Sequence, residues 1–419
     1  MSVSVLLPII EGFWIKNYKG LRQIALGSSF HQSMVMDIGV DLSPYELTPF
    51  TTFIGASGTG KSSILDLFSF ISDCLESGLD DALNKRGGFD AVHYRNGEGP
   101  ISFGLIYRAC SEPNPLTYAV NIDKKAGTQY AYIETEAIVY RNNQQNGVTP
   151  ILLFQNGDKS LRHLSPWYGA GMLELELVKR TDSKHLALAT LANYENLPDV
   201  PQLKRHLDQF HHACYFPDNA SGLVPRSHKQ NKGTSLVSEI KRFRGKHGPE
   251  FQEILNVIAQ RLPEVDKIDC EINESGRPIL SFFMNGQKEP FYADQVSEGL
   301  LRLFFHVLQF EDPVPIPLIG IEEPAAYMDE EQMKVFVNMA RHFVNERGGT
   351  QFLVTTNQIA MVDQMDPTEV WILYKDAQGD IKSTRALDEL SFQGIDLNTI
   401  GPYWYSDYIY RGNNNPNPV

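Results

Sequence analysis

The stretch GASGTGKS, Gly55 to Ser62, fills the pattern G-x-x-x-x-G-K-[ST] at every specified position. An apolar run with strand character, Phe50 to Ile54, enters it, and a helical run from Ser63 leaves it. Glycines let backbone N–H groups wrap around phosphates, and the following helix turns its positive end toward them. The expected cradle is Gly55, Ala56, Ser57, Gly58, Thr59, Gly60, Lys61, Ser62 and Ser63, with Lys61 reaching the β/γ-phosphates and the Ser62 hydroxyl on Mg²⁺. The plain alternative is a Gly/Ser-rich connection between strand and helix.

A phosphate loop alone fits several reaction classes, so the partners downstream decide. PLIGIEEP, Pro317 to Pro324, reads as a short apolar strand ending in two carboxylates. Such a strand delivers Glu322 to the Mg²⁺ shell and Glu323 to an attacking water as general base. VSEGLLR, Val296 to Arg302, opens a helix, where Ser297 and Gly299 form a second anion site. Taken alone, Ser297 is simply an N-cap. LVTTNQ, Leu353 to Gln358, is a strand running into polar residues, with Asn357 where a γ-phosphate sensor sits.

The rest of the chain frames these motifs. Its 419 residues, 42% hydrophobic and 21% charged, suffice for one large α/β domain with insertions or for two or three average ones. No apolar run is long enough for a transmembrane helix, and MSVSVLLPII lacks the features of a secretory signal. Cys74, Cys110, Cys214 and Cys270 lie far apart, which opposes a zinc site or disulfide framework and fits a reducing cytoplasm. A net charge of −14 argues against wholesale nucleic-acid coating. Arg226 to His247 nevertheless holds seven Lys/Arg (Arg226, Lys229, Lys232, Lys241, Arg242, Arg244, Lys246) against Glu239 alone. That stretch is a candidate docking face for DNA, RNA or an acidic partner, a solvated surface being the plainer reading.

Short alternating runs before the loop, GFWIKNYKGL and SMVMDIGVDL, read as strands. Residues 101–164 alternate through several runs separated by turns and read as an antiparallel meander. Helices are expected over Lys184 to Glu195, Pro201 to Ala213, Leu236 to Phe243, Pro249 to Leu262, Ser297 to Gln309 and Asp329 to Glu346. A loop is expected over Asp218 to Gly233 and a hairpin around Glu274 to Arg277. The terminal RGNNNPNPV is expected to be disordered.

The order of elements resembles the ABC-class ATPases: phosphate loop, long lobe insertion, Ser-x-Gly signature, tandem-acid strand, sensor strand. Within that class the chain is most similar to bacterial predicted AAA-family ATPases of the RecF/SMC-like and OLD-like group. The residues carrying the likeness are IKNYKG (Ile15 to Gly20), FIGASGTGKSSILD, KRGGFDAVHYR (Lys85 to Arg95), VSEGLLRLFFHVL, LIGIEEP and FLVTTNQIAMVDQM. The resemblance implies an α/β P-loop NTPase head with a mostly parallel core sheet, an antiparallel β lobe and a helical lobe. Its parts fall at 1–100 (first strands and phosphate loop), 101–180 (β lobe), 181–290 (helical lobe), 291–410 (signature, acid and sensor half) and 411–419 (tail).

The same resemblance implies ATP and Mg²⁺ as cofactors and an ATP sandwich between two copies, with Ser297 and Gly299 acting on the partner's nucleotide. It also implies a bacterial DNA-maintenance or anti-phage defence setting with a separate effector such as a nuclease or toxin. The residues after the sensor strand are too few for a typical catalytic domain of their own. Asn357 stands where the class usually has His. Asn hydrogen-bonds a γ-phosphate but takes no positive charge, which implies slow hydrolysis with ATP acting mainly as a conformational switch. Competing expectations are a RecF-like DNA repair ATPase, a transporter's nucleotide-binding subunit, or a P-loop small-molecule kinase.

Overall fold

The computed structural model describes residues 8–27, 45–109, 115–142, 147–155, 160–163, 176–179, 183–191, 199–216, 234–274, 276–347 and 349–388. The strand expected at 33–42, the loop at 218–233, the tail at 411–419 and Cys110 lie outside them.

Six strands form the core sheet, in the order His211–Ala213, Leu318–Glu322, Gln351–Thr356, Phe50–Gly55, Val370–Lys375 and Ile381–Arg385. The first five are parallel and only the last pair is antiparallel. Phe50–Gly55 and Gln351–Thr356 are buried along their whole length, as strands covered on both faces must be. Parallel strands share one carboxyl edge, so Gly55, Glu322 and Thr356 emerge side by side, where open α/β sheets take their ligands.

Two hydrophobic layers cover this sheet. On one face the helix Lys61–Ser77 presents Ile64, Leu65, Leu67, Phe68 and Ile71 at helical spacing. Phe13 stands edge-on to Phe53 and Phe68, with ring centroids 6.0 and 5.5 Å apart, joining core strand, helix and a second sheet. Each such fully buried ring contributes about 2–3 kcal/mol. On the other face lie the helices Glu298–Phe310 and Glu330–His342, packed through Phe305, Phe310 and Phe336.

The second sheet is antiparallel and eight-stranded: Leu21–Gly27, Ile9–Tyr18, Ile101–Arg108, Leu116–Lys124, Ala131–Asn142, Gly147–Gln155, Ser160–His163 and Glu176–Lys179. The meander read at 101–164 is therefore present. The two N-terminal strands extend it rather than entering the core sheet. A buried ion network fastens it to the phosphate-loop helix. Asp66 of that helix, with its side chain 1% exposed, takes the Tyr18 hydroxyl at 2.8 Å, Arg86 Nε at 3.2 Å and the Lys19 ammonium. IKNYKG and KRGG thus supply the donors for one buried carboxylate. Removing one partner of such a group costs about 3–5 kcal/mol.

Several expected boundaries shift. The helix expected over Pro201 to Ala213 stops at Asp208, and His211–Ala213 is a strand at the edge of the core sheet. Pairing with the acid strand outweighs helical propensity there. The helix expected from Lys184 is described only over Ala187–Leu191. The segment from Pro249 begins as a 3₁₀ turn before the helix Phe251–Ala259. The hairpin appears as Val265–Ile272 and Pro278–Met284. Val370–Lys375 and Ile381–Arg385, to which the sequence pattern assigns no element, close the core sheet beyond the phosphate-loop strand. No helix among the described residues is long and apolar enough to cross a membrane.

Candidate functional site

At the carboxyl edge of the core sheet the chain leaves Phe50–Gly55 and turns through Gly58 and Gly60, with φ of 81° and 83°. These left-handed conformations suit residues without a Cβ. The helix starts at Lys61; the Ser63 and Ile64 N–H groups go to the Gly60 carbonyl at 3.0 and 3.1 Å, and those of Lys61 and Ser62 come before the first intrahelical acceptor. The Lys61 ammonium lies across the loop, donating to the carbonyls of Gly55 at 2.7 Å and Ala56 at 3.2 Å. Burial lowers its pKa, against the opposing pull of Glu323 and Glu322.

The Ser62 hydroxyl hydrogen-bonds Oε1 of Glu322, so two hard oxygen donors from distant parts of the chain converge. That pairing fits a Mg²⁺ ion, which favours a few protein oxygens and keeps waters and phosphates for its other positions. Among the described residues no cluster of three or more His, Cys, Asp or Glu forms an all-protein metal cage.

Glu323 follows at φ 46°, a left-handed conformation that strains a residue bearing a Cβ. Three contacts hold it there. Its N–H donates to the Thr355 carbonyl at 2.9 Å. Its carboxylate takes the Asn357 N–H at 3.0 Å, and its carbonyl takes a guanidinium N–H of Arg302 at 3.3 Å. Burial raises the Glu323 pKa, while the Asn357 N–H and Lys61 oppose the rise. A carboxylate raised in this way and aimed from a strand end has the character of a general base.

Ser297 is the N-cap of Glu298–Phe310, its hydroxyl accepting from the Leu300 N–H at 3.2 Å. It is exposed, and among the described residues no hydrogen bond or ion pair joins it or Gly299 to residues 55–63. Gly299 is buried, and a Cβ there would come within 2.4 Å of both the Tyr327 carbonyl and Gln332 Oε1. Asn357 is exposed, with its side-chain oxygen accepting from Gln358 at 3.2 Å. The structure therefore brings together Lys61, Ser62, Glu322, Glu323 and the Asn357 backbone, and leaves the signature residues apart from them.

Three further residues enter the site that motif reading passes over. His212 Nε2 lies 3.5 Å from Glu322 Oε2, and the Cys214 thiol lies beside the same carboxylate. Burial pushes that thiol's pKa up to about 12, so it stays protonated. Arg302 is buried in the signature helix, its guanidinium over the rings of Tyr215 at 4.8 Å and Tyr327 at 5.6 Å. The first two lie in HHAC, which carries no polar/apolar alternation to mark it as a strand.

The basic stretch is less available than its composition implies. Arg226, Lys229 and Lys232 lie outside the described residues. Arg242 pairs with the buried Glu239 and lies 3.5 Å from Asp312, while Lys246 reaches Asp312 at 2.9 Å. Two of its cations thus neutralise acids of the protein's own interior.

Residues 173–363, under half of the chain, match the family model described as "AAA domain, putative AbiEii toxin, Type IV TA system". The matched segment contains the signature helix and the acid and sensor strands. No curated protein matches. Among solved structures, the SMC head domain from Thermotoga maritima aligns with a TM-score of 0.40 and 11% identity, over 90% of this chain and 98% of that one. The Smc head domain with an extended coiled coil, bound to the C-terminal domain of ScpA, from Pyrococcus furiosus aligns with a TM-score of 0.45 and 12% identity, over 92% and 99%. The phosphate loop, acid strand and sensor strand stand at one edge of a largely parallel α/β sheet, and residues 173–363 are similar to an AbiEii-type AAA domain.

Proposed function

We propose that this head binds ATP with Mg²⁺ and uses nucleotide-dependent association of two copies as a switch acting on a separate effector. The observation that carries the reading is the gathering of Lys61, Ser62, Glu322 and Glu323 at one sheet edge while Ser297 stays exposed. The loop N–H groups and Lys61 hold the phosphates, and Ser62 with Glu322 holds the cation. Mg²⁺ when bound neutralises phosphate charge and orients the γ-phosphate. Glu323 takes a proton from water, and the residue 357 backbone keeps its carboxylate aimed.

A site in which each copy lacks part of the γ-phosphate contacts is completed by a second copy's Ser297 and Gly299. Two identical half-sites then give a closed, symmetric dimer, ordered by ATP and released on hydrolysis. Asn357 carries no charge, which favours slow turnover and a long-lived closed state. The matched family's description, a putative toxin of a Type IV toxin–antitoxin system, supports a defence setting with a partner protein.

Molar mass measured by light scattering with ATP, with ADP and with Glu323→Gln plus ATP tests this reading. A larger ATP-dependent species, most persistent in Glu323→Gln, is expected. An assembly state indifferent to nucleotide in all three samples would sink it.

A further inference from the structure

We infer that His212 is a positioning residue for the metal-binding carboxylate, donating from Nε2 to the Glu322 oxygen opposite the one that Ser62 binds. The inference rests on the reading of Ser62 and Glu322 as the Mg²⁺ pole, and names what keeps that pole oriented. His212 lies in the edge strand His211–Ala213, in parallel register with Gly320. Side chains alternate along a strand, so Glu322, two residues beyond Gly320, points to the same face as His212. Gly320 contributes no side chain between them. Across that face runs the helix Lys61–Ser77, which carries Ser62 and, two turns later, Ser69 on the same side.

The contacts follow this geometry. Ser62 reaches Glu322 Oε1, His212 Nε2 stands 3.5 Å from Glu322 Oε2, and Ser69 Oγ stands 3.4 Å from His212 Nδ1. The imidazole thus bridges helix and acid strand. Its Nε2 is buried and finds no hydrogen bond of good geometry in this conformation. An unmade bond at a buried polar nitrogen is costly, so a small movement that closes it is favoured. The tautomer with its proton on Nε2 turns a donor toward the carboxylate and leaves Nδ1 facing Ser69 Oγ, which also lies 3.4 Å from the Leu65 carbonyl. His212 is half-buried at the sheet edge, with its ring 6.2 Å from that of Phe210 and its Nε2 toward Glu322.

A ligating carboxylate whose second oxygen is held by a donor keeps its orientation when a cation binds the first. Loss of such outer partners weakens metal affinity by about 10–100-fold. The test is the affinity of the full chain for a fluorescent ATP analogue, titrated with Mg²⁺. In His212→Leu the Mg²⁺ midpoint is expected to rise about tenfold, with Mg²⁺-free affinity and melting temperature unchanged. His212→Gln, whose amide can donate, is expected to recover most of the shift, which a purely structural role would not predict. An unchanged midpoint in a natively melting His212→Leu overturns the inference. If that variant misfolds, Ser69→Ala, which removes the partner of Nδ1 along with a local bond to the Leu65 carbonyl, must move the midpoint the same way, and no movement overturns the inference. A wild-type affinity with no Mg²⁺ dependence overturns the Mg²⁺ reading itself, before any variant is compared.

Discussion

The main-chain N–H of Asn357 donates to the Glu323 carboxylate at 3.0 Å, so the candidate base is tethered to the sensor strand by backbone. The Asn357 side chain instead faces Gln358. Replacing that side chain leaves the tether in place. Asn357→Ala is therefore expected to lower the rate of phosphate release less than about tenfold. Glu323→Gln, which removes the proton acceptor, is expected to lower it about 10²–10⁴-fold, in the range of general-base loss. ATP affinity should hold in both. Equal losses from the two substitutions would place the chemistry on the Asn357 side chain.

Lys61 holds two carbonyls of its own loop, and Ser62 holds Glu322. Their removal separates phosphate contact from cation contact. Lys61→Ala is expected to weaken ATP binding with or without Mg²⁺. Ser62→Ala is expected to weaken it only in the presence of Mg²⁺. Calorimetric titration with ATP, with and without chelator, distinguishes the patterns. A Mg²⁺-independent loss in Ser62→Ala would remove that hydroxyl from the cation's shell.

The motifs that could be read in the sequence are those whose chemistry is local. GASGTGKS requires glycines at fixed offsets, and LIGIEEP is an apolar strand with charge only at its end, so neither depends on distant neighbours. Phe13, Phe53 and Phe68 likewise announce a core through their periodicity. Other features depend on which strands pair. His212 is adjacent to Glu322 only because His211–Ala213 docks on the far edge of the acid strand, and helical spacing through Pro201 to Phe210 masks that strand. VWILYK is apolar enough for a core strand, yet its place beside the phosphate loop comes from its pairing with Phe50–Gly55. Arg242 and Lys246 look like a docking face until Asp312 and Glu239 fold beneath them.

His306 makes stability depend on acid. It is fully buried in the signature helix between Phe305 and Phe336, and neither ring nitrogen finds a hydrogen bond. Burial, with the nearby Arg302, lowers its pKa to about 3. The unfolded chain returns it to about 6.5, so between these values the unfolded state binds more protons. Stability is full above pH 6.5 and is lost as pH falls toward 3. By pH 5 this one group accounts for on the order of 2 kcal/mol. His206 and His211, each lowered to about 4 by burial, act in the same direction. Melting temperature is expected to drop between pH 7 and pH 5, and His306→Leu to reduce that drop without abolishing it. An equal drop in the variant would show that His306 is already protonated or solvated in the fold.

Ser297 and Gly299 are two residues apart but should fail for different reasons. A Cβ at position 299 meets the Tyr327 carbonyl and Gln332 Oε1 at 2.4 Å, so Gly299→Ala must displace the loop that follows the tandem acids. Overpacking of this kind costs about 1–3 kcal/mol, and it appears in the isolated chain as a lower melting temperature without nucleotide. Arg302, one turn further along the same helix, holds the Glu323 carbonyl, so the displacement should also reduce turnover. Ser297→Ala loses only an N-cap, worth about 1 kcal/mol, and leaves that packing intact. Its larger effect is expected in assembly: ATP-dependent growth in molar mass should vanish although ATP still binds each chain. Normal ATP-dependent assembly in Ser297→Ala would mean that this hydroxyl caps its helix and does nothing across an interface.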